Sequence, residues 1–140
     1  LKRINCFESM TLMFQKEVAD RILAKPGSKN YGRLSVIANW LTETKKLFDI
    51  PNSAFIPKPK VNSTVIKIKP YKKPIYDVSF ESLETITRIA FSQRRKMIKT
   101  SLKVINCNKI LDDLNISPFL RPEQLSIQDF CKIARKAFES

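Results

Sequence analysis

Met10-Thr11-Leu12-Met13-Phe14 is a short, almost wholly apolar run that stops at polar Gln15. A run of this length and character fits a strand buried on both faces, as in a parallel sheet. That demand constrains the whole chain, because such a strand needs neighbours beside it and layers above and below it. Two further strands are readable, over residues 45–50 and over Ser63–Pro70, where Val65, Ile66 and Ile68 carry the apolar character and Lys67 and Lys69 alternate with it. Between the first strand and these two the spacing predicts a helix pair. One helix covers residues 16–24 on Val18, Ala19, Ile22 and Leu23, and Lys25-Pro26-Gly27 stops it. The other begins near Arg33 with Leu34, Ile37, Ala38 and Leu41 on one face. A strand, a helix pair and two strands resemble the closing end of an open α/β sheet, whose remaining strands are expected upstream of Leu1.

After Pro74 the pattern is helical throughout. A helix is expected over residues 79–91, with Leu83, Ile86, Ile89 and Ala90 inward. A second helix or kinked continuation follows over residues 92–103, then a short one over residues 109–114. The last helix has a marked start: Ser126 caps it, Asp129 stands in the capping-box position, and Leu125 can staple to Phe130. It runs to about Phe138 on Ile127, Cys131, Ala134 and Phe138. The division falls between Tyr71 and Tyr76, giving residues 1–73 and residues 74–140 as two domains.

Charge narrows the choice of partner. Lys and Arg number 26 against 13 acids, a net charge of +13, and apolar residues make up 43% of the chain, enough for a packed core. The cations are not scattered. No acid occurs from Ile50 to Tyr76, where Lys58, Lys60, Lys67, Lys69, Lys72 and Lys73 fall, nor from Thr85 to Asn106. Such runs favour a nucleic acid over a merely solvated face. Cys6, Cys107 and Cys131 lie far apart and read as reduced, buried thiols rather than a disulfide framework or metal motif. The chain has no histidine, which removes the commonest general base and the commonest zinc ligand. No apolar stretch approaches the roughly 18 residues of a membrane helix, and residues 1–7 do not read as a signal peptide. The expectation is a cytoplasmic protein without a membrane partner, and, since the chain opens on Leu1, one that was cut from a longer protein or whose upstream part is not shown.

Three segments carry chemistry. In residues 53–63 the prolines Pro57 and Pro59 stiffen a loop that Phe55 leads and Lys58 and Lys60 follow. A fixed ring beside a lysine ladder suits an extruded base with its phosphates; the other reading is a ring that plugs a sheet edge, with prolines that keep the edge from pairing. In residues 91–103, helical spacing gathers Phe91, Ile98 and Leu102 on one stripe and Lys96, Lys99 and Lys103 opposite, with Arg95 between. That arrangement can dock on a core and present cations to phosphates. In residues 27–35, Gly27 and Gly32 bracket Ser28-Lys29-Asn30-Tyr31, either a flap over a substrate or a plain interhelical turn.

In combination, Leu12-Met13-Phe14-Gln15-Lys16-Glu17-Val18-Ala19, Tyr31-Gly32-Arg33-Leu34-Ser35-Val36, Phe55-Ile56-Pro57-Lys58-Pro59-Lys60-Val61-Asn62-Ser63, Ala90-Phe91-Ser92-Gln93-Arg94-Arg95-Lys96 and the tail from Leu120-Arg121-Pro122-Glu123 to Leu125-Ser126 resemble the ribosomal RNA adenine N6,N6-dimethyltransferase family, in its small-subunit housekeeping branch. The resemblance implies the carboxyl-terminal half of such an enzyme: the closing strands and helices of a class I, Rossmann-like methyltransferase sheet, followed by a small all-α RNA-binding domain. It implies S-adenosylmethionine as methyl donor for the parent, and ribosomal RNA of a small-subunit precursor as partner. By the same resemblance Phe55 stacks on the target adenine, and Lys29, Tyr31, Arg33, Lys58, Lys60, Arg94, Arg95, Lys96, Lys99, Lys103 and Arg121 contact RNA. The family's glycine-rich donor motif, acidic ribose-binding residue and Asn-Leu-Pro-Tyr acceptor motif have no counterpart here. The chain alone is therefore expected to bind no donor and no metal and to be inactive, with the missing amino-terminal half as its other partner. The competing readings are a non-enzymatic RNA- or DNA-binding module and an assembly factor built on the same fold.

Overall fold

The structure, a computed structural model, describes residues 7–139. The expectations for Cys6 and for the residues before Phe7 lie outside that range. Strands β1 (Met10–Gln15), β2 (Thr42–Ile50) and β3 (Ser63–Pro70) form one sheet in the order β1-β3-β2. Both outer strands run antiparallel to β3. This corrects the reading of residues 10–14 as a doubly buried parallel strand. Among the described residues β1 has β3 as its only neighbour, and Leu12 and Met13 are 40% and 53% exposed. The enclosed strand is β3, where Thr64, Val65, Ile66 and Ile68 are buried and Lys67 and Lys69 stay in water. Its lysines left the sequence looking half-solvated, whereas its position between two partners buries everything else.

Strand β2 starts earlier than its apolar residues suggest. The β-branched Thr42 and Thr44 already pair with Pro70 and Ile68, so helix gives way to strand with no loop between. Thr42 makes the switch, and its hydroxyl donates to the Ala38 carbonyl at 2.6 Å.

Helices α1 (Lys16–Leu23) and α2 (Arg33–Leu41) cross one face of the sheet. Two polar side chains tie them together. The Ser35 hydroxyl donates to the Arg21 carbonyl, and the Asn39 amide donates to the carbonyls of Ile22 (2.8 Å) and Ser35 (2.7 Å). Ala38 of α2 joins Ala19, Ile22, Ile66 and Ile68 in a core against the sheet. On its other side, Val36, Ile37 and Trp40 enter a larger core with the helices that follow. That second core holds α3 (Phe80–Phe91), α4 (Ile98–Ser101), α5 (Cys107–Asp113) and α6 (Ile127–Phe138). Beyond residue 74 the described elements are all helical, and the larger core takes in residues of α2 as well. The linker itself is held: the Trp40 indole donates to the Tyr76 carbonyl at 2.9 Å, and the N–H groups of Tyr71 and Ile75 donate to Leu41 and Trp40.

Two of the described helices have side-chain caps, of which the one at Ser126 is expected from the sequence. The Ser79 hydroxyl accepts from the Ser82 N–H at the start of α3. Ser126 and Asp129 exchange side-chain and backbone hydrogen bonds at the start of α6 (3.1 Å each). The expected helix over residues 92–103 is a correction. Residues 92–95 are turns, α4 is a single helical turn, and Leu102–Ile105 is a 3-10 turn ended by Asn106 in the left-handed region (φ 54°). A continuous helix is broken because the backbone donors of Ile98 and Lys99 are taken by Leu120 and Pro118 carbonyls, at 2.7 and 3.2 Å. The inside–outside split survives by another route: Ile98 and Leu102 are fully buried, while Lys96, Lys99 and Lys103 are exposed.

Candidate nucleic-acid interface

The proline loop joins β2 to β3 and is closed by one asparagine. The Asn62 side chain accepts the Asn52 N–H (2.9 Å), and its backbone carbonyl accepts the N–H of Lys16 at the start of α1 (2.9 Å). Within this clasp, Asn52–Ala54 forms a 3-10 turn, and the Phe55 N–H donates to the Asn52 carbonyl (3.3 Å). Ile56–Pro57 is a cis peptide. Phe55 is half-buried, while Ile56, Lys58 and Lys60 face solvent. At the loop's foot, the Lys46 ammonium and then the Thr64 hydroxyl, both hydrogen-bonded to Asp49, hold its carboxyl below the usual range. Asn62 stands within the quoted motif, but its closing role is not legible there, because its partner Asn52 lies ten residues earlier.

Lys60 and Asn62 line one wall of an open cleft whose other walls are Lys16, Asp20 and Asn30. The loop after α1 thus faces the proline loop across the start of α1. Its own shape is set from the helical side. Gly27 adopts φ 87°, a conformation that favours glycine, and its N–H donates to the Glu123 carbonyl at 2.6 Å. Arg94 donates through Nη2 to the carbonyls of Lys29 (2.6 Å) and Tyr31 (2.8 Å), and lies 3.7 Å from the Glu123 carboxylate. Three of the quoted motifs therefore meet at one junction: the glycine loop, the Arg-Arg-Lys segment and the tail at residues 120–126.

Three of the expected RNA contacts, two at this junction and one on α2, have partners within the chain. Tyr31 is 1% exposed, edge-on to Phe91 with ring centroids 6.1 Å apart, so its ring belongs to the core and does not face a substrate. Its buried hydroxyl has no hydrogen-bond partner among the described residues. Burial, then the charges of Asp129 and Cys131, push its phenol far above the usual value. Arg94 is engaged by carbonyls and Glu123. Arg33 pairs with Glu84 on α3 at 2.7 Å. No sequence signal named these partners, which lie 29 and 51 residues away along the chain. Lys29, Arg33, Lys58, Lys60, Arg95, Lys96, Lys99, Lys103 and Arg121 all remain exposed. Among the described residues, no cluster of His, Cys, Asp or Glu could hold a metal, and no helix is long and apolar enough to cross a membrane.

The antiparallel closing strands, the helix pair and the appended helical unit define the class: the closing strands and helices of a class I, Rossmann-like methyltransferase sheet, followed by a small all-α part. A solved dimethyladenosine transferase from Plasmodium falciparum superposes with a TM-score of 0.82 at 28% identity, covering 91% of this chain and 56% of that one. The 23S rRNA methyltransferase ErmE shares the fold at a TM-score of 0.60 and 19% identity, over 95% of this chain and 55% of that one. The family model described as "Ribosomal RNA adenine dimethylase" matches residues 2–137, and the chain belongs to that family. The "Ribosomal RNA small subunit methyltransferase A" of Ehrlichia ruminantium (strain Gardel) is 52% identical over 133 residues, which are 94% of this chain and 51% of the relative. The protein of that name from Paramagnetospirillum magneticum is 45% identical over 136 residues, 96% of this chain and 48% of the relative. The chain spans about half the length of the curated relatives it matches.

Proposed function

We propose that this chain is the RNA-facing, carboxyl-terminal half of an S-adenosylmethionine-dependent rRNA adenine N6,N6-dimethyltransferase that acts on small-subunit rRNA during ribosome assembly in the cytoplasm. The observation that carries this reading is a family match over residues 2–137 in a chain whose exposed cations occupy acid-free stretches. Phe55, held by the Asn62 clasp, offers a ring on which the target adenine can stack, and Lys58 and Lys60 stand ready for the flanking phosphates. The work of this half is to bind and orient, which in methyl transfer to a weakly nucleophilic amino group supplies much of the catalysis. Gly27 and Gly32, the chain's two glycines, stand between helices α1 and α2 and not in a strand-to-helix turn of the kind that lets backbone approach a donor in such sheets. Donor binding and methyl transfer are assigned to the other half of the enzyme.

The test is a salt titration of binding to small-subunit rRNA. Replacing Arg95, Lys96 and Lys103 with Ala leaves the Arg94 junction intact. It should weaken binding and flatten the slope of log affinity against log salt by about one unit for each phosphate that is no longer neutralised. Superimposable titrations for the triple variant and the unaltered chain would show that these cations are a solvated surface only.

A further inference from the structure

Phe119 lies in the stretch between α5 and α6, well away in sequence from the proline loop. It is 62% exposed. The Lys99 ammonium lies over its ring, 4.8 Å from the centroid. A single exposed phenylalanine needs no explanation. This one is set apart by how firmly it is held. The carbonyls of Pro118 and Leu120, on either side of it, accept the N–H groups of Lys99 and Ile98 at 3.2 and 2.7 Å. Its own N–H donates to the Ser117 hydroxyl at 3.3 Å. Ile116 is buried three residues earlier. The ring is therefore presented on a pinned backbone, and little ordering entropy remains to be lost when something stacks on it.

The surroundings decide what that something is. The α4 segment beside the ring contributes Lys96, Lys99 and Lys103, all exposed, and no acid occurs between Thr85 and Leu111. A protein partner would seat an aromatic anchor in a dry pocket, and a lysine lying on the ring would have to be desolvated there. A nucleotide has use for both groups at once: a π-face for the ring and a phosphate for the ammonium. We propose that Phe119 and Lys99 form a second base-binding subsite, in which an unpaired RNA base stacks on Phe119 and Lys99 moves to the adjoining phosphate. The subsite rests on the RNA-facing role proposed above and extends it to a nucleotide that is held but not methylated.

The experiment uses the 140-residue chain in a Phe55→Leu background, so that the Phe55 ring cannot contribute to the stacking that is read. The probes are a short single-stranded RNA carrying 2-aminopurine and a fully paired hairpin with the same number of phosphates. Stacking quenches the 2-aminopurine. Phe119→Ala should lower affinity for the single strand about tenfold, abolish the quench, and leave hairpin binding, salt slope and melting temperature unchanged. Phe119→Tyr should keep the quench. Lys99→Ala should reduce the salt slope by about one unit. Equal single-strand binding by Phe119→Ala, or an equal loss on strand and hairpin, overturns the subsite while leaving the RNA-facing role standing. Failure of the starting chain to bind either probe overturns both.

Discussion

The two cores of this molecule are finished to different degrees. In the helical core, Leu83, Ile86, Ile98, Leu102, Leu125, Phe130 and Ile133 are fully buried. In the sheet, Met13 and Phe48 flank Val65 across β3 and are 53% and 54% exposed, and Leu12 is 40% exposed. On the helix side of the sheet, a groove lined by Met10, Leu12, Phe14, Val18 and Leu34 also stays open. Both regions have apolar residues at the right period. The difference lies in how many layers surround them. Helices α3 to α6, closed by one face of α2, supply their own surroundings, whereas a three-stranded sheet with helices on one face cannot.

That contrast is sharpest in the cost of truncation. Phe130→Ala should destabilise the chain by about 3–5 kcal/mol, because it leaves a cavity in a closed core, while Met13→Ala should change stability by no more than about 0.5 kcal/mol. Urea unfolding of the two variants measures both, and comparable losses would break the comparison. The junction comes next. Arg94→Ala leaves two carbonyls and Glu123 without their donor and should cost about 1.5–3 kcal/mol. Arg94→Lys, which cannot hold both carbonyls in a planar fork, should recover only part of it. A silent Arg94→Ala would mean that the glycine loop keeps its shape unaided.

The smallest effect at neutral pH belongs to Tyr31. Its hydroxyl is buried without a partner among the described residues, so Tyr31→Phe should leave stability unchanged or raise it by up to about 1 kcal/mol. Its larger consequence lies in alkali. Burial pushes the Cys131 thiol from 9.0 up to about 12 and moves the Tyr31 phenol the same way. Groups with raised folded-state pKa contribute stability that is whole below the unfolded value and is lost as pH rises through the folded one. The unaltered chain should therefore lose melting temperature steadily from pH 9 towards pH 12, and Tyr31→Phe combined with Cys131→Ala should flatten that loss. An unchanged alkaline slope in the double variant would place its cause in other groups, among them Cys107, whose thiol is also pushed up by burial.

What could be read from the sequence was what is decided locally. The bounds of β3 and the Ser126–Asp129 box depend on residues within a few positions of one another, and both stand as the pattern implied. The direction and partner of β1 depend on a pairing more than 50 residues away, such as Met10 with Ile68, and periodicity carries no such information. The helix expected over residues 92–103 failed for the same reason, since the carbonyls that break it come from residues 118 and 120. At the candidate interface, the loop lysines and the exposed cations were legible as charge. The burial of Tyr31 and the partners of Arg94 and Arg33 were not, because they come from residues distant in the chain.

Trp40 is the chain's one tryptophan, and it sits on the face of α2 that enters the helical core. Its indole is 2% exposed, bonded to the linker at Tyr76 and 6.4 Å from the Phe80 ring. The seam between the two cores therefore carries its own optical gauge. Any event that parts α2 from α3 or frees the linker wets this indole and reddens its emission, while movement confined to the outer strands leaves the signal alone. Fluorescence from the unlabelled chain thus separates loosening at the seam from fraying at the sheet edge.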